Sequence, residues 1–232
     1  MNKKNFVSVL MSTHNNEKTI KNAIESITNQ THKDLEFLII DDCSDDNTYQ
    51  IIKDYSKKYN FIKIFQNKSN IGLTKSLNKL IKISNGELIA RQDADDESLK
   101  ERLALQISNL IKNDVDFCVS RAINIQTKNN IPRFSNYLPT KYVLKYKNPF
   151  IHGTLLIKKT VIENIGAYDD KFYYAQDYKL FKDLIEKDYS YIYLNKPLYK
   201  LNTKNNISTN KKDIQSYYAN CVKRNIEPDG RN

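Results

Sequence analysis

The chain has 232 residues, 40% hydrophobic and 28% charged, a balance that suits a globular protein with a sizeable buried core. Its net charge is +10, but the lysines are dispersed and form no recognition motif, which argues against specific nucleic-acid binding and allows attraction to an anionic membrane surface. No apolar run reaches the ~18 residues of a membrane-spanning helix, and residues 6–11 are too short for a signal-peptide core, so a cytoplasmic protein is expected. Cys43, Cys118 and Cys221 are far apart and odd in number, which predicts reduced thiols, two of them at strand ends, and no disulfide framework.

Residues 6–12 (FVSVLMS) predict a first strand, ended by the polar turn Thr13-His14-Asn15-Asn16. Residues 17–28 set Ile20, Ala23, Ile24 and Ile27 at helical spacing. The near-continuous apolar run at 35–40 (LEFLII) predicts a strand buried on both faces; it stops at Asp41-Asp42, and a helical pattern follows through Ile51, Ile52 and Tyr55. Residues 61–65 form a third strand, and 73–83 a helix with Leu77, Leu80 and Ile81 on one side, stopped near Asn85-Gly86. Residues 87–91 make a fourth strand that runs into Asp93-Ala94-Asp95-Asp96, followed by a helix at 99–111 and a fifth strand at 115–119.

The second half is less regular. Residues 120–137 predict short strands or a hairpin, 148–157 a turn leading into a strand, and 159–164 a short helix. A helix at 176–186 carries Tyr178, Leu180, Phe181, Leu184 and Ile185 on its apolar face, and 189–194 is a final strand. Residues 202–210 read as a polar linker, and 211–224 as a surface helix bearing Tyr217 and Tyr218.

Strands alternating with helices predict an α/β fold with a mainly parallel central sheet. Ligands of such sheets sit beyond the carboxyl ends of the strands, so Thr13-His14-Asn15, Asp41-Asp42 and residues 93–96 are expected to converge on one edge. On an extended segment Asp93 and Asp95 leave from the same face and can approach one Mg²⁺ or Mn²⁺ together. The alternative is an acidic cap for a helix beginning near Ser98, with Asp96 in its first turn. One carboxylate of Asp41-Asp42 is suited to accept a hydrogen bond from a base imide, or the pair forms an Asx-type turn. No phosphate-binding G-x-x-x-x-G-K-[ST], no G-x-G-x-x-G and no G-x-S-x-G elbow is present.

Five segments in series, VSVLMSTHN at 7–15, LIIDDCSDDNT at 38–48, NIGLTKSLN at 70–78, GELIARQDADDESLKERLALQ at 86–106 and FYYAQDYKLFKDLI at 172–185, resemble family 2 glycosyltransferases. The likeness spans about residues 6–200 and is greatest to bacterial members that build lipopolysaccharide, capsule or exopolysaccharide. It implies a GT-A fold, a Rossmann-like three-layer α/β/α sandwich. The nucleotide-sugar half would be 1–115, the acceptor half 116–205, and a basic tail 206–232. It also implies an inverting transfer from a nucleotide diphosphate sugar, UDP-linked by preference, to a hydroxyl of a glycan or lipid-linked glycan.

The same resemblance assigns Ser12, Thr13, His14, Asp42, Lys75, Asp93 and Ala94 to the donor. Ser12 and His14 would line the base pocket, Asp42 contact the base, Asp93 reach the ribose or the metal, and Lys75 approach the diphosphate, unless it is a solvated helix lysine. Asp95 would be the main ligand of the divalent cation. The general base would come from the acidic pair after the Gly166-Ala167-Tyr168 segment; Gln176 stands where Glu is more frequent, which leaves Asp177 as base or else as helix cap. His152 and Gln176 would face the acceptor, or His152 would assist at the metal, with a satisfied core histidine as the other reading of His152. Leu77 stands where many relatives carry Arg, so Lys75, Arg91 or Arg102 is left to balance the diphosphate.

Two other classes fit parts of the pattern: a sugar nucleotidyltransferase, although Thr13-His14-Asn15-Asn16 is neither glycine-rich nor basic, and a non-catalytic sugar-nucleotide or glycan-binding module. The basic, tyrosine-bearing tail at 211–224 suggests peripheral contact with the inner leaflet.

Overall fold

The computed structural model describes residues 5–132, 138–204 and 211–230. The strands are β1 Val7–Thr13, β2 Leu35–Asp41, β3 Ile62–Gln66, β4 Leu88–Arg91, β5 Glu97–Ser98, β6 Phe117–Asn124, β7 Asn130–Ile131, β8 Leu156–Lys158 and β9 Tyr191–Leu201. The helices are α1 Ile20–Thr28, α2 Thr48–Lys58, α3 Leu73–Ile83, α4 Arg102–Lys112, α5 Thr140–Val143, α6 Lys159–Asn164, α7 Gln176–Glu186 and α8 Lys212–Arg224, with a 3-10 turn at His152–Thr154. They build one sheet in the order β3-β2-β1-β4-β8-β6-β9-β5, with β7 paired to β6.

Strands β3, β2, β1 and β4 are mutually parallel, as the alternating first half predicts. The two-residue period of β1 sends Val7, Val9 and Met11 to one face, where they pack with Ile20, Ala23, Ile24 and Ile27 of α1 and Leu103, Ile107 and Leu110 of α4. Leu10 points to the other face and joins Leu77, Leu80 and Ile81 of α3 with Phe181, Leu184 and Ile185 of α7. Two apolar clusters, one on each side of the sheet, make three layers. Each fully buried Leu, Ile or Phe contributes about 1.5–3 kcal/mol, so these faces set the register of the strands. Leu77 is wholly buried in the second cluster, which is why an apolar residue stands there.

Several expectations change. The strand predicted at the end of residues 148–157, β8, runs antiparallel between β4 and β6, which makes the sheet mixed in its second half. The last strand extends to Leu201 instead of stopping at 194: the register jumps from Ser120↔Leu194 to Arg121↔Pro197, and this bulge lets Pro197, which has no N–H to give, sit in the ladder. The fourth large helix begins at Arg102, because Glu97 and Ser98 pair with β9. All three cysteines are free; Cys43 follows β2, Cys118 lies in β6 and Cys221 in α8. Residues 133–137 of the expected hairpin and 205–210 of the expected linker lie outside the described residues.

The tail helix lies at the surface, as expected, but is docked along one face. Tyr218, Cys221 and Val222 of α8 are buried against α7 in the apolar cluster. The buried Lys182 of α7 donates to the Val222 carbonyl (2.6 Å) and to Asn225 Oδ1 (2.5 Å), placing an ammonium at the negative end of the α8 dipole. No helix among the described residues is long and apolar enough to cross a membrane.

Candidate active site

Because β2, β1 and β4 are parallel neighbours, their carboxyl ends open on the same edge, and a cleft of about 760 Å³ lies there. Ser12, Thr13, His14, Asp42, Asp93, Ala94, Asp95, His152, Gln176 and Asp177 all line it. Lys75 does not: it is exposed on α3 and absent from the cleft wall, which supports its reading as a solvated helix lysine.

Asp42 is almost fully buried and already committed. Its Oδ1 accepts from Asn67 Nδ2 (2.8 Å) and the Ile71 amide (2.9 Å), and its Oδ2 from the Gly72 amide (2.8 Å). A carboxylate offers about four acceptor positions, so one direction is left for a ligand. Gly72 has φ +87°, and a Cβ there would lie 2.3 Å from the Tyr173 ring. Glycine is therefore what allows Tyr173 to close over this loop. The neighbouring Asp41 is buried and bonded to Ser44 and Gln66, a local structural role.

The acidic cluster is not a helix cap. Helix α4 starts six residues after Asp96, and its N-terminus takes no side-chain cap. Asp93 is paired with Arg91 (2.6 Å), a buried guanidinium that also donates to the Leu10 carbonyl (2.9 Å). Burial, and then the charge of Asp93, push the Asp95 carboxyl up to about 6. Asp96, read from sequence as the cap, is buried. It accepts from the Asn202 amide (2.7 Å), and burial raises its pKa well above the ordinary carboxylate range. Tyr199 binds the turn from behind: its hydroxyl accepts from the Asp93 amide (3.0 Å) and donates to Asp96.

Arg102 is fully buried beneath this turn. It donates to Ser98 Oγ (2.7 Å) and the Arg91 carbonyl (2.7 Å), and lies 5.2 Å from the centre of the Tyr199 ring. Burial lowers its pKa to about 10, so it remains a cation at neutral pH. Arg91 and Arg102 thus hold the cluster from within the protein and do not line the cleft.

On the opposite side, Ala175 adopts a left-handed conformation (φ 53°, ψ 24°) that starts α7 and sets Gln176 and Asp177 in its first turn. Asp177 does not cap this helix; its Oδ2 accepts from Asn148 Nδ2 (2.9 Å). His152 Nε2 is bonded to the Tyr168 hydroxyl (2.6 Å), so it is at once hydrogen-bonded and part of the cleft wall. Burial, then Arg91, depress the imidazole to about 4 against the pull of Asp93 and Asp177, and it is neutral at pH 7.

Sequence reasoning missed Asn70, Gly72, Tyr173, Tyr174, Asn202, Lys211 and Gln215, which also line the cleft. The N-I-G and F-Y-Y strings held a usable signal for the first four. Lys211 and Gln215 held none, since they arrive through the docking of α8. Lys211 is the only lysine or arginine among the described residues of the cleft wall.

The cleft lies at the carboxyl edge of the parallel half of the sheet, in a chain of GT-A fold. The fold is shared with Staphylococcus aureus TarS in complex with UDP-GlcNAc: TM-score 0.74, 22% identity, 86% of this chain and 59% of that one. It is also shared with the mannosyltransferase PcManGT of Pyrobaculum calidifontis in complex with GDP-Man and Mn²⁺: TM-score 0.66, 20% identity, 83% and 55%. The model of glycosyl transferase family 2 matches residues 8–181, and the chain belongs to that family. It is 34% identical over 230 residues to an uncharacterized glycosyltransferase of Methanocaldococcus jannaschii, covering 93% of this chain and 78% of the relative. It is 32% identical over 190 residues to the O-antigen biosynthesis glycosyltransferase WbnJ of Escherichia coli, covering 78% and 72%.

Proposed function

We propose that this family 2 glycosyltransferase moves a sugar, with inversion, from a UDP-sugar to a hydroxyl of a glycan or lipid-linked glycan during assembly of a surface polysaccharide in the cytoplasm. The observation that carries the reading is the pairing, within one cleft, of the Asp93–Asp95 carboxylates with Asp177. The Escherichia coli relative supports the polysaccharide context, and the UDP-GlcNAc complex of TarS supports the donor class.

Asp93 and Asp95 suit a divalent cation. Asp95 is desolvated and repelled by Asp93, so a cation relieves a strain the protein carries without it. Mn²⁺ or Mg²⁺ is typically held by one or two carboxylates together with substrate phosphates, and Asp93 and Asp95 supply two on the cleft wall. When bound, such an ion supplies Lewis-acid stabilisation of the leaving diphosphate. Lys211 adds a positive charge to an otherwise acidic cleft. Asp42, Ser12, Thr13 and His14 receive the base, Asp93 and Ala94 the ribose side, and His152 and Gln176 the acceptor. Residues 1–115 act as the donor half and 116–205 as the acceptor half, with the tail contributing Lys211.

Asp177, oriented by Asn148, takes the acceptor proton as the acceptor oxygen bonds to the anomeric carbon; the bond from that carbon to the diphosphate breaks and UDP leaves. The test is product analysis with UDP-sugars and isolated lipid-linked glycans. Wild type should release UDP and glycosylate the acceptor, whereas Asp177→Asn should bind UDP normally and transfer at least a hundredfold more slowly, about the lower bound for loss of a general base. Wild-type turnover in Asp177→Asn would remove it from the base role. Pyrophosphate as product would point to a nucleotidyltransferase, and UDP binding without turnover to a binding module.

A further inference from the structure

Between β7 and the 3-10 turn the chain makes the short helix α5 and a further turn before Asn148. Its inner face is anchored: Val143 and Leu144 are buried, the Tyr178 hydroxyl donates to the Leu144 carbonyl, and Thr140 is hydrogen-bonded to the Tyr191 hydroxyl (2.5 Å). The outer face is turned to solvent. Leu138, Tyr142 and Tyr146 are 52%, 55% and 59% exposed, and the two tyrosine rings lie together with centroids 5.3 Å apart. Of the seven large hydrophobic residues most exposed among those described, these three fall within one short stretch.

Lys141, Lys145 and Lys147 are interleaved with them and exposed. Lys141 is paired with Asp188 (2.7 Å), itself exposed, and among the described residues no ion pair engages Lys145 or Lys147. Tyrosine, with an apolar ring and a polar tip, suits a membrane interface, and lysine can bury its stem while its ammonium stays with the headgroups. Lysine is depleted from the cores of protein–protein interfaces, so this mixture favours a lipid surface over a second protein. The α8 helix, which the sequence suggests for this contact, turns Tyr218 inward and ties the Tyr217 hydroxyl to the Asp229 amide (2.9 Å).

We propose that residues 138–147 are a docking surface for an anionic lipid bilayer, with Leu138, Tyr142 and Tyr146 at headgroup depth and Lys141, Lys145 and Lys147 against lipid phosphates. The segment continues directly into Asn148, which holds Asp177, so docking there brings the acceptor side of the cleft to the membrane. Only this last point rests on the transferase reading.

Flotation of the full chain with phosphatidylcholine vesicles, with and without phosphatidylglycerol, tests the proposal. Wild type should float only with the anionic lipid, and less as salt is raised. Each lysine near such a surface is worth roughly a fivefold change in partitioning, so Lys145→Gln/Lys147→Gln should weaken binding about 25-fold. Tyr142→Ser/Tyr146→Ser should also weaken it, with thermal unfolding and UDP binding unchanged in both double variants. Asp95→Ala should still float, which separates failure of this surface from failure of the donor site. The proposal is overturned if wild type ignores phosphatidylglycerol or if both double variants float like wild type. It is equally overturned if the tyrosine variant dissolves a dimer while vesicle binding stays intact, because the surface would then belong to a second copy of the chain.

Discussion

At neutral pH the Asp95 carboxylate is charged in surroundings that resist charge, and that conflict can be measured. Its pKa stands at about 6 against an ordinary 3.8, raised first by burial and then by Asp93. Between those values the folded chain binds more protons than the unfolded one, so this group lowers stability as pH rises through the window and by a constant amount above it. A displacement of about two pH units corresponds to about 3 kcal/mol. Asp95→Asn preserves shape and removes the charge. Without metal at pH 7 it should therefore be more stable than wild type by about 2–3 kcal/mol, or roughly 5–10 °C in Tm for a domain of this size. The difference should shrink towards zero near pH 4. Thermal unfolding at both pH values, with and without Mn²⁺ and UDP, provides the assay: the ligands should stabilise wild type and leave the variant unmoved. If Asp95→Asn is the less stable protein at pH 7 without metal, the carboxylate makes stabilising contacts of its own, and the argument for a site awaiting a cation fails.

Gly72→Ala should cost about 1–3 kcal/mol, because alanine resists φ +87° and its Cβ must displace the Tyr173 ring. Urea unfolding should show this loss together with weaker UDP binding, as the Gly72 amide shifts off Asp42; unchanged stability would contradict the close approach. Lys182→Met should loosen the C-terminal end of α8, because the ammonium no longer donates to the Val222 carbonyl and to Asn225 Oδ1, a loss of about 1–3 kcal/mol in total. Limited proteolysis should then cut within α8 before the rest of the chain, whereas uniform resistance would show that Tyr218, Cys221 and Val222 suffice to hold it.

The half of the fold that carries the acidic cluster is legible because its physics is local. β1 and β2 are buried on both faces, so apolar residues dominate them on both sides of the pleat, and the polar residues that end them fall on one edge once the strands are parallel. The sequence could not tell whether the acidic cluster caps a helix; the structure removes that reading because α4 begins only at Arg102. Lys75 is left open by the sequence between the diphosphate and solvent, because adjacency to a motif says nothing about which side of α3 it occupies; it is exposed there. Lys211 and Tyr199 were invisible for another reason: they reach the site through a docked tail helix and through a strand that passes Pro197 on a bulge, contacts no local pattern records. Asp177 was placed by family resemblance, and the structure adds Asn148 as the side chain that orients it.

The central claim is that Asp93 and Asp95 bind the donor diphosphate through a divalent cation. The most direct measurement is a calorimetric titration of UDP into the metal-stripped protein before and after Mn²⁺ is restored, in wild type and Asp95→Ala. The account predicts tight binding only for wild type with metal. Equal UDP affinity in all four titrations would contradict it.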